Sequence, residues 1–425
     1  MPSGRSAAVS ERNRWMASTG GSSASGYFTR EMSSPSAIAS QSKMRYLTCE
    51  LLSSMGGMTR AAREADCKPA PRPAYSGRRG ADWLILTLRH EGNTVARTIR
   101  FGILGCGRIT RRGLIPGITG SPAAELTALA SLRPGVAAEL ARECGARKAY
   151  DSYDAVLNDP DVDAVYIPST GDSHCEWTLK AARAGKHILC EKSLATNVAE
   201  AETMVAGCRS AGVILQEAFM WRHHPRTKTV RQMLQNGAIG ELCLILAHFS
   251  FDIDRSDWRL DPAQGGGAVW DIGCYGINAS RLFAGAEPRT IHARARFHDK
   301  GADMSMQIAL QFPNNVLANV DCSFEAPFRC EVELVGTRGT IVLPNAFLPA
   351  EEAPLLVRRG TAGDAPVETI VFPRANQYVE QVTDFCASIE AGRLQAPAED
   401  GLANMKVCET ALQLAREGRL PATGR

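Results

Sequence analysis

Apolar positions along this chain fall into two regimes. From about Thr98, short apolar runs alternate with longer stretches in which apolar residues recur every three to four positions. Residues 100–104 read as a strand leading into a helix start, 125–131 as a second strand, and 134–144 as a helix with proline in its first turn and Gly145 as stop. Residues 163–168 are apolar enough to form a strand buried on both faces. A helix over 174–184 closed by Gly185, a strand over 186–190, a helix over 199–211 closed by Gly212 and a strand over 213–218 complete the series. This alternation predicts an α/β doubly wound parallel sheet with its ligand at the carboxyl ends of the strands. After residue 220 the pattern changes: 242–251, 289–297, 304–312 and 316–324 read as strands without comparable helices between them. They predict a second, mostly antiparallel α+β domain. Residues 377–391 carry Val379, Val382, Phe385, Cys386 and Ile389 on one stripe, and 402–417 is a second amphipathic helix. The expected division is a Rossmann domain over 98–220, a substrate and dimerisation domain over 221–375, and helices bracing the domain junction over 376–425.

The first strand ends in Gly105-Cys106-Gly107, followed by Arg108-Ile109-Thr110. The first glycine permits the tight reversal, and the second lets main chain approach a pyrophosphate. The helix start then offers free N–H groups and the positive end of its dipole. The second strand ends Ser131-Leu132-Arg133, with no carboxylate to hold a ribose 2′-hydroxyl. A hydroxyl and a guanidinium suit a 2′-phosphate, which favours NADP over NAD.

Chemistry is expected between the first two strands of the second domain. There Asp257-Trp258-Arg259 precedes Gly265-Gly266-Gly267, and a helix starts near Asp271. Asp271 and Tyr275, four apart, would share one helix face, with Asn278 further along the same stripe. The region from about Thr98 onward resembles the glucose-fructose oxidoreductase, inositol dehydrogenase and MocA family (Gfo/Idh/MocA), in the branch of sugar oxidoreductases and dihydrodiol dehydrogenases. The resemblance rests on the glycine turn, residues 163–168, Ala184-Gly185-Lys186 through Glu191-Lys192, Glu217 through Pro225, and the glycine triplet through Tyr275. It implies that Lys192, Asp271 and Tyr275 carry a reaction in which hydride passes between a nicotinamide cofactor and a hydroxyl or carbonyl of a sugar, polyol or dihydrodiol. Cofactor contacts are expected from Gly105, Cys106, Gly107, Arg108, Ile109, Ser131, Arg133, Ser169, Thr170, His174, Glu191 and Lys192. Substrate contacts are expected from Arg222, Trp258, Arg259, Asp271, Tyr275 and Asn278. Two departures stand out: Ser193 follows Lys192 where the family usually has proline, and Thr170-Gly171-Asp172-Ser173 replaces the usual Pro-Asn before His174.

A tyrosine that exchanges the hydroxyl proton near neutral pH needs a cation to lower its pKa, and Lys192 at a strand end is the natural one. Asp271 would orient that lysine or bind a hydroxyl, while Trp258 and Arg259 offer a stacking face and a hydrogen-bond fork. Tyr378 is a further candidate for cofactor contact. Two other readings stay open: a cofactor-retaining glycosidase on the same fold, and a non-catalytic nucleotide sensor.

Composition narrows the field only modestly. With 44% apolar and 22% charged residues and a formal net charge of +3, the chain reads as a globular enzyme with no nucleic-acid or membrane signature. Its 13 cysteines follow no short-spaced framework and His187 and Cys190 lack metal-ligand spacing, so thiols in a cytoplasmic protein and no metal site are expected. A homodimer or homotetramer through the second-domain sheet is expected. Residues 1–97 are rich in Ser, Gly, Ala and Arg and carry Pro69, Pro71 and Pro73. They read as a disordered extension or as the product of a start site placed too far upstream.

Overall fold

A computed structural model describes residues 97–350, 352–392 and 397–418, so the expectation for the N-terminal extension lies outside the described residues. Six strands form a wholly parallel sheet: β1 (Ile99–Leu104), β2 (Ala124–Ala130), β3 (Lys148–Tyr150), β4 (Ala164–Ile167), β5 (His187–Cys190) and β6 (Leu215–Glu217). Their order is β3-β2-β1-β4-β5-β6, which reverses direction between β1 and β4. In such sheets the crevice above this reversal is where a dinucleotide lies. The apolar runs are buried on both faces as expected: Phe101, Ile103, Leu104, Val165, Ile167, Ile188 and Leu189 are inaccessible to solvent. Helices α1 (Ile115–Gly120), α2 (Val136–Cys144), α3 (Tyr153–Leu157), α4 (Gly171–Arg183) and α5 (Val198–Ala211) provide the connections. β3 was not legible in the pattern because it is three residues long and largely uncovered, leaving no apolar run to read.

After α6 (Pro225–Gln235), the chain builds a sheet of eight strands rather than the four expected. These are β7 (Leu242–Ser250), β8 (Thr290–Phe297), β9 (Asp303–Gln311), β10 (Leu317–Ser323), β11 (Arg329–Gly336), β12 (Gly339–Pro344), β13 (Ala353–Arg359) and β14 (Val367–Phe372). The order is β14-β13-β12-β11-β7-β10-β9-β8, antiparallel except where β7 meets β10. One face is buried, as the alternation of Cys330, Val332 and Leu334 on β11 shows. Helix α7 (Cys274–Ala284) packs against that face and is itself almost wholly enclosed.

The last two helices tie the two sheets together. On α8 (Gln377–Glu390), Phe385 meets Phe101 of β1 with ring centroids 6.0 Å apart. α9 (Ala398–Glu417) lies against both α5 and β8. The ring of Tyr378, at the start of α8, lies over the helix that follows the glycine turn. A Cβ added at Gly113 would come within 2.8 Å of that ring, and one at Gly117 within 3.0 Å of Tyr378 Cβ. Only residues without a side chain let the two helices approach this closely.

Candidate active site

A cavity of about 570 Å³ opens at the carboxyl ends of the parallel strands. Arg108, Ile109 and Arg112 line one end, Lys192, Asp271, Tyr275 and Tyr378 the middle, and Phe249, Phe251, Trp258 and Phe328 the other. Lys192 follows β5, whereas Asp271 sits on a π-turn (Val269–Gly273) that leads into α7. Lys192 Nζ donates to the Asp271 carboxylate and to its backbone carbonyl, each at 2.7 Å. The second carboxylate oxygen accepts from Arg259 Nε at 2.7 Å, and Arg259 is held from behind by Asp257 at 3.3 Å. Burial alone would neutralise Asp271, but two cations on its two oxygens hold it at about 2. Burial also opposes the charge on Lys192, yet the adjacent Asp271 carboxylate raises its pKa above the ordinary lysine value.

Tyr275 corrects one expectation. Its ring stands 5.3 Å from Lys192 Nζ, but its hydroxyl points to Met220 Sδ at 3.6 Å and no lysine reaches it. Burial, reinforced by Glu191, pushes the phenol well above its usual pKa. In this geometry the Tyr275 phenol holds its proton, and no cation contacts its hydroxyl to prepare a phenolate. Phe219, Phe249 and Phe347 pack around the ring at centroid distances of 5.3, 5.7 and 5.1 Å.

The loop carrying Lys192 is tied down from several sides. Tyr166 donates its hydroxyl to Glu191, whose other oxygen accepts the Lys192 N–H at 3.2 Å. The Lys192–Ser193 peptide is cis, and the Ser193 hydroxyl donates to the Trp270 carbonyl at 2.8 Å, a bond that proline could not make. His174 is buried, with its ring nitrogens 2.9 Å from the Ser169 carbonyl and 3.0 Å from that of Ser193. It joins the loop after β4 to the lysine loop and does not face the cavity. Thr170 stands at the N-cap position of α4 without a side-chain cap bond and donates its hydroxyl to Asp172, while Ser169 lines the cavity.

At the nucleotide end, Gly105 has φ +139°, a conformation few L side chains adopt, and beyond Gly107 an added Cβ would meet nothing within 4 Å. This open space, faced by the helix start at Arg108 and Ile109, fits a pyrophosphate. Cys106 turns its thiol inward toward the Ala130 carbonyl at 3.5 Å, so only its main chain is available. Ser131 is buried and accepts the Arg133 N–H at 3.1 Å, whereas Arg108 and Arg133 extend into solvent beside this space. The residues present therefore suit a nicotinamide dinucleotide.

Two family models match the chain: an oxidoreductase family with an NAD-binding Rossmann fold over residues 99–219, and the GFO/IDH/MocA C-terminal domain over 227–342. The chain belongs to the Gfo/Idh/MocA oxidoreductases. It is 33% identical over 321 residues to D-xylose 1-dehydrogenase (NADP(+)) 2 of Haloferax volcanii, covering 75% of this chain and 98% of that one. It is 34% identical over 301 residues to a dTDP-3,4-didehydro-2,6-dideoxy-alpha-D-glucose 3-reductase of Saccharopolyspora spinosa, covering 70% and 89%. Among solved structures, a 3-ketoreductase from Actinomadura kijaniata in complex with NADP and TDP-benzene superposes with a TM-score of 0.69 at 32% identity, covering 75% and 98%.

Two candidate substrate residues of this Gfo/Idh/MocA member are not at the cavity. Arg222 is paired with Asp400, which also binds Arg281 at 3.1 Å, and it does not line the cavity. Asn278 is fully buried in α7 and its amide meets no protein partner. It lies beyond Tyr275 on α7, a helix whose residues are almost all buried, and so meets the core rather than the cavity. Arg259 and Trp258 do line the cavity, but the fork of Arg259 is already occupied by Asp257 and Asp271. Among lining residues the sequence reading missed, Arg112 lies one helical turn beyond Arg108 and Phe251 shares a strand face with Phe249, so both had a periodic signal. Phe328 and Leu348 come from inter-strand connections and had none.

Proposed function

We propose that this oxidoreductase is NADP-preferring and moves hydride between the cofactor and a hydroxyl or carbonyl carbon of a sugar, polyol or vicinal diol. The observation that carries this reading is that Lys192, Asp271 and Tyr275 meet in one cavity that runs to Arg108 and Ile109, directly after the glycine turn. Gly105, Gly107, Arg108 and Ile109 would hold the pyrophosphate, with Ser131 and Arg133 at the 2′-phosphate and Ser169, Thr170 and Glu191 toward the nicotinamide. The bound nicotinamide supplies or accepts the hydride. Lys192, kept charged by Asp271, stabilises negative charge on the substrate oxygen. Tyr275, protonated at rest, gives its hydroxyl proton to the carbonyl oxygen in the reductive direction and is reprotonated from solvent; in the oxidative direction it must first lose its proton to solvent before it takes the one on the substrate hydroxyl. Asp271 and Arg259 position Lys192.

The outward face of the second sheet supports a dimer. Leu356, Val342, Glu333 and Leu246 lie in register across β13, β12, β11 and β7, beside Val335 and Leu244, on a partly exposed and mainly apolar band that carries one carboxylate. The eleven described cysteines are all free thiols, which supports a reducing compartment such as the cytoplasm. No helix among the described residues is long and apolar enough to cross a membrane.

The test is a substrate screen following nicotinamide absorbance with NADP and NAD. Sugar- or diol-dependent reduction, stronger with NADP, is expected. Sugar hydrolysis without net reduction would point to a glycosidase instead, and cofactor binding without turnover to a sensor.

A further inference from the structure

The substrate end of the cavity has an uneven distribution of charge. Beyond Lys192 its lining carboxylates are Asp252, Asp254, Asp257 and Asp271, and its lining cations are Lys192 and Arg259 alone. Neither cation is free: Lys192 is spent on Asp271, and Arg259 on Asp271 and Asp257. Arg255, which follows the lining residue Asp254, turns away to bind Asp252 at 2.9 Å and the carbonyls of Ile253 and Phe324. Asp254 makes no ion pair among the described residues, and the neighbouring Arg255 acts on it only through space. Its carboxylate accepts the Ser256 hydroxyl at 2.6 Å and the Ser256 N–H at 2.8 Å, which favours the ionised form. The other lining cations, Arg108 and Arg112, come from the glycine turn and the helix after it, where Arg112 acts on Tyr378.

The remaining wall is apolar and open. Phe249 and Phe251 form the floor, and Trp258, Phe328 and Leu348 rim the mouth with 40%, 56% and 40% of their surfaces exposed. Large side chains left exposed at a cavity mouth present flat faces on which a ring can stack.

Resting on the oxidoreductase reading, we infer that the substrate is an uncharged, unlinked ring compound, a free monosaccharide or cyclic diol stacked on this aromatic wall, and that sugars carrying a phosphate or nucleoside diphosphate are excluded. A phosphate attached to the reacting ring would have to lie at the mouth, since the inner end is closed by Lys192, Tyr275 and the nucleotide site. There it would meet Asp254, which makes no ion pair, beside Asp252 and Asp257, whose arginines Arg255 and Arg259 are already engaged, whereas anion sites elsewhere use a free Arg fork or a lysine. Like charges at a partly enclosed site repel over several ångströms, and that repulsion is screened by salt. By this reading the chain sides with its sugar dehydrogenase relative over its dTDP-sugar reductase relative, although the identities, 33% and 34%, do not separate them.

The experiment compares kcat/KM at saturating NADP(H) for matched probes: D-xylose, D-glucose and trans-1,2-cyclohexanediol against D-glucose 6-phosphate and dTDP-D-glucose. At least one neutral probe is expected to turn over, with D-glucose 6-phosphate at least about tenfold below D-glucose at low ionic strength. Raising the salt concentration should narrow that ratio severalfold by accelerating only the anionic probe. The double variant Asp252→Asn, Asp254→Asn should narrow it as well, and Trp258→Ala should raise KM for neutral sugars more than it lowers kcat. An anionic probe that equals or exceeds its neutral counterpart overturns this inference while leaving the oxidoreductase reading intact. So does a ratio that neither salt nor the double variant moves. Absence of nicotinamide turnover on every probe overturns both.

Discussion

Replacing Asp271 by Asn keeps the shape of the side chain and removes the charge that two buried cations share. Lys192 and Arg259 each donate to it at 2.7 Å, and the three side chains are only 14%, 19% and 15% exposed in the order Lys192, Arg259, Asp271. A hydrogen bond to a charged group contributes about 1.5–3 kcal/mol, and removing one partner of a buried pair costs about 3–5 kcal/mol. The backbone carbonyl of Asp271 still holds Lys192 in the variant, and Asp257 still holds Arg259, so the lower end of about 3 kcal/mol applies. At about 1.4 kcal/mol per tenfold change, that loss felt in the transition state is a fall of roughly 100-fold in kcat. The pH profile should change as well. Asp271 raises the Lys192 pKa against the effect of burial, so without it the alkaline limb of kcat should move to lower pH. Initial rates across pH, with NADP affinity measured separately by fluorescence titration, give both quantities. A fall of less than about threefold, with the alkaline limb in place, would refute the assignment of Asp271 as the group that holds the Lys192 charge.

Arg133→Ala should raise KM for NADP by about tenfold and leave that for NAD nearly unchanged, because only the 2′-phosphate would feel the guanidinium; equal effects on both cofactors would move the 2′ site elsewhere. Gly113→Ala places a methyl group 2.8 Å from the Tyr378 ring and should destabilise by about 1–3 kcal/mol, with most of the loss absent when Tyr378→Ala is also present; additive denaturation free energies would contradict that contact. Glu217 accepts the Leu194 N–H at 2.9 Å, its other oxygen is buried without a protein partner, and burial raises its pKa to about 8. The folded chain keeps this proton where the unfolded chain has lost it, so stability should fall as pH rises from about 4.5 to about 8. Glu217→Gln should flatten that slope, and melting curves with an unchanged slope would place the titrating group elsewhere.

The parallel half of the fold was legible because its strands are buried on both faces and its helices end at glycines, so each element carries its own local signal. Gly145, Gly185 and Gly212 all follow helices in left-handed conformation. The second sheet was half legible: β7 to β10 stood out as runs, whereas β11 to β13 alternate buried with half-exposed positions and β14 is mostly uncovered, which dilutes the pattern. In the site, Lys192, Asp271 and Tyr275 come together from segments about 80 residues apart, a juxtaposition available to sequence only through family resemblance. Helical spacing placed Asp271 and Tyr275 on one cavity and failed for Asn278, because α7 is enclosed along nearly its whole length and only its start borders the cavity. Arg259 was read as a free fork because nothing in its local sequence reveals that Asp257 and Asp271 both reach it.

Isotope transfer tests the proposed chemistry most directly. The unaltered protein is given NADP and a neutral sugar deuterated at the carbon that is oxidised, and the reduced cofactor is examined by mass spectrometry. Direct hydride transfer predicts one deuterium in the nicotinamide for each sugar oxidised, with none exchanged into water. Oxidised sugar accompanied by unlabelled cofactor, or label recovered in solvent, would contradict it.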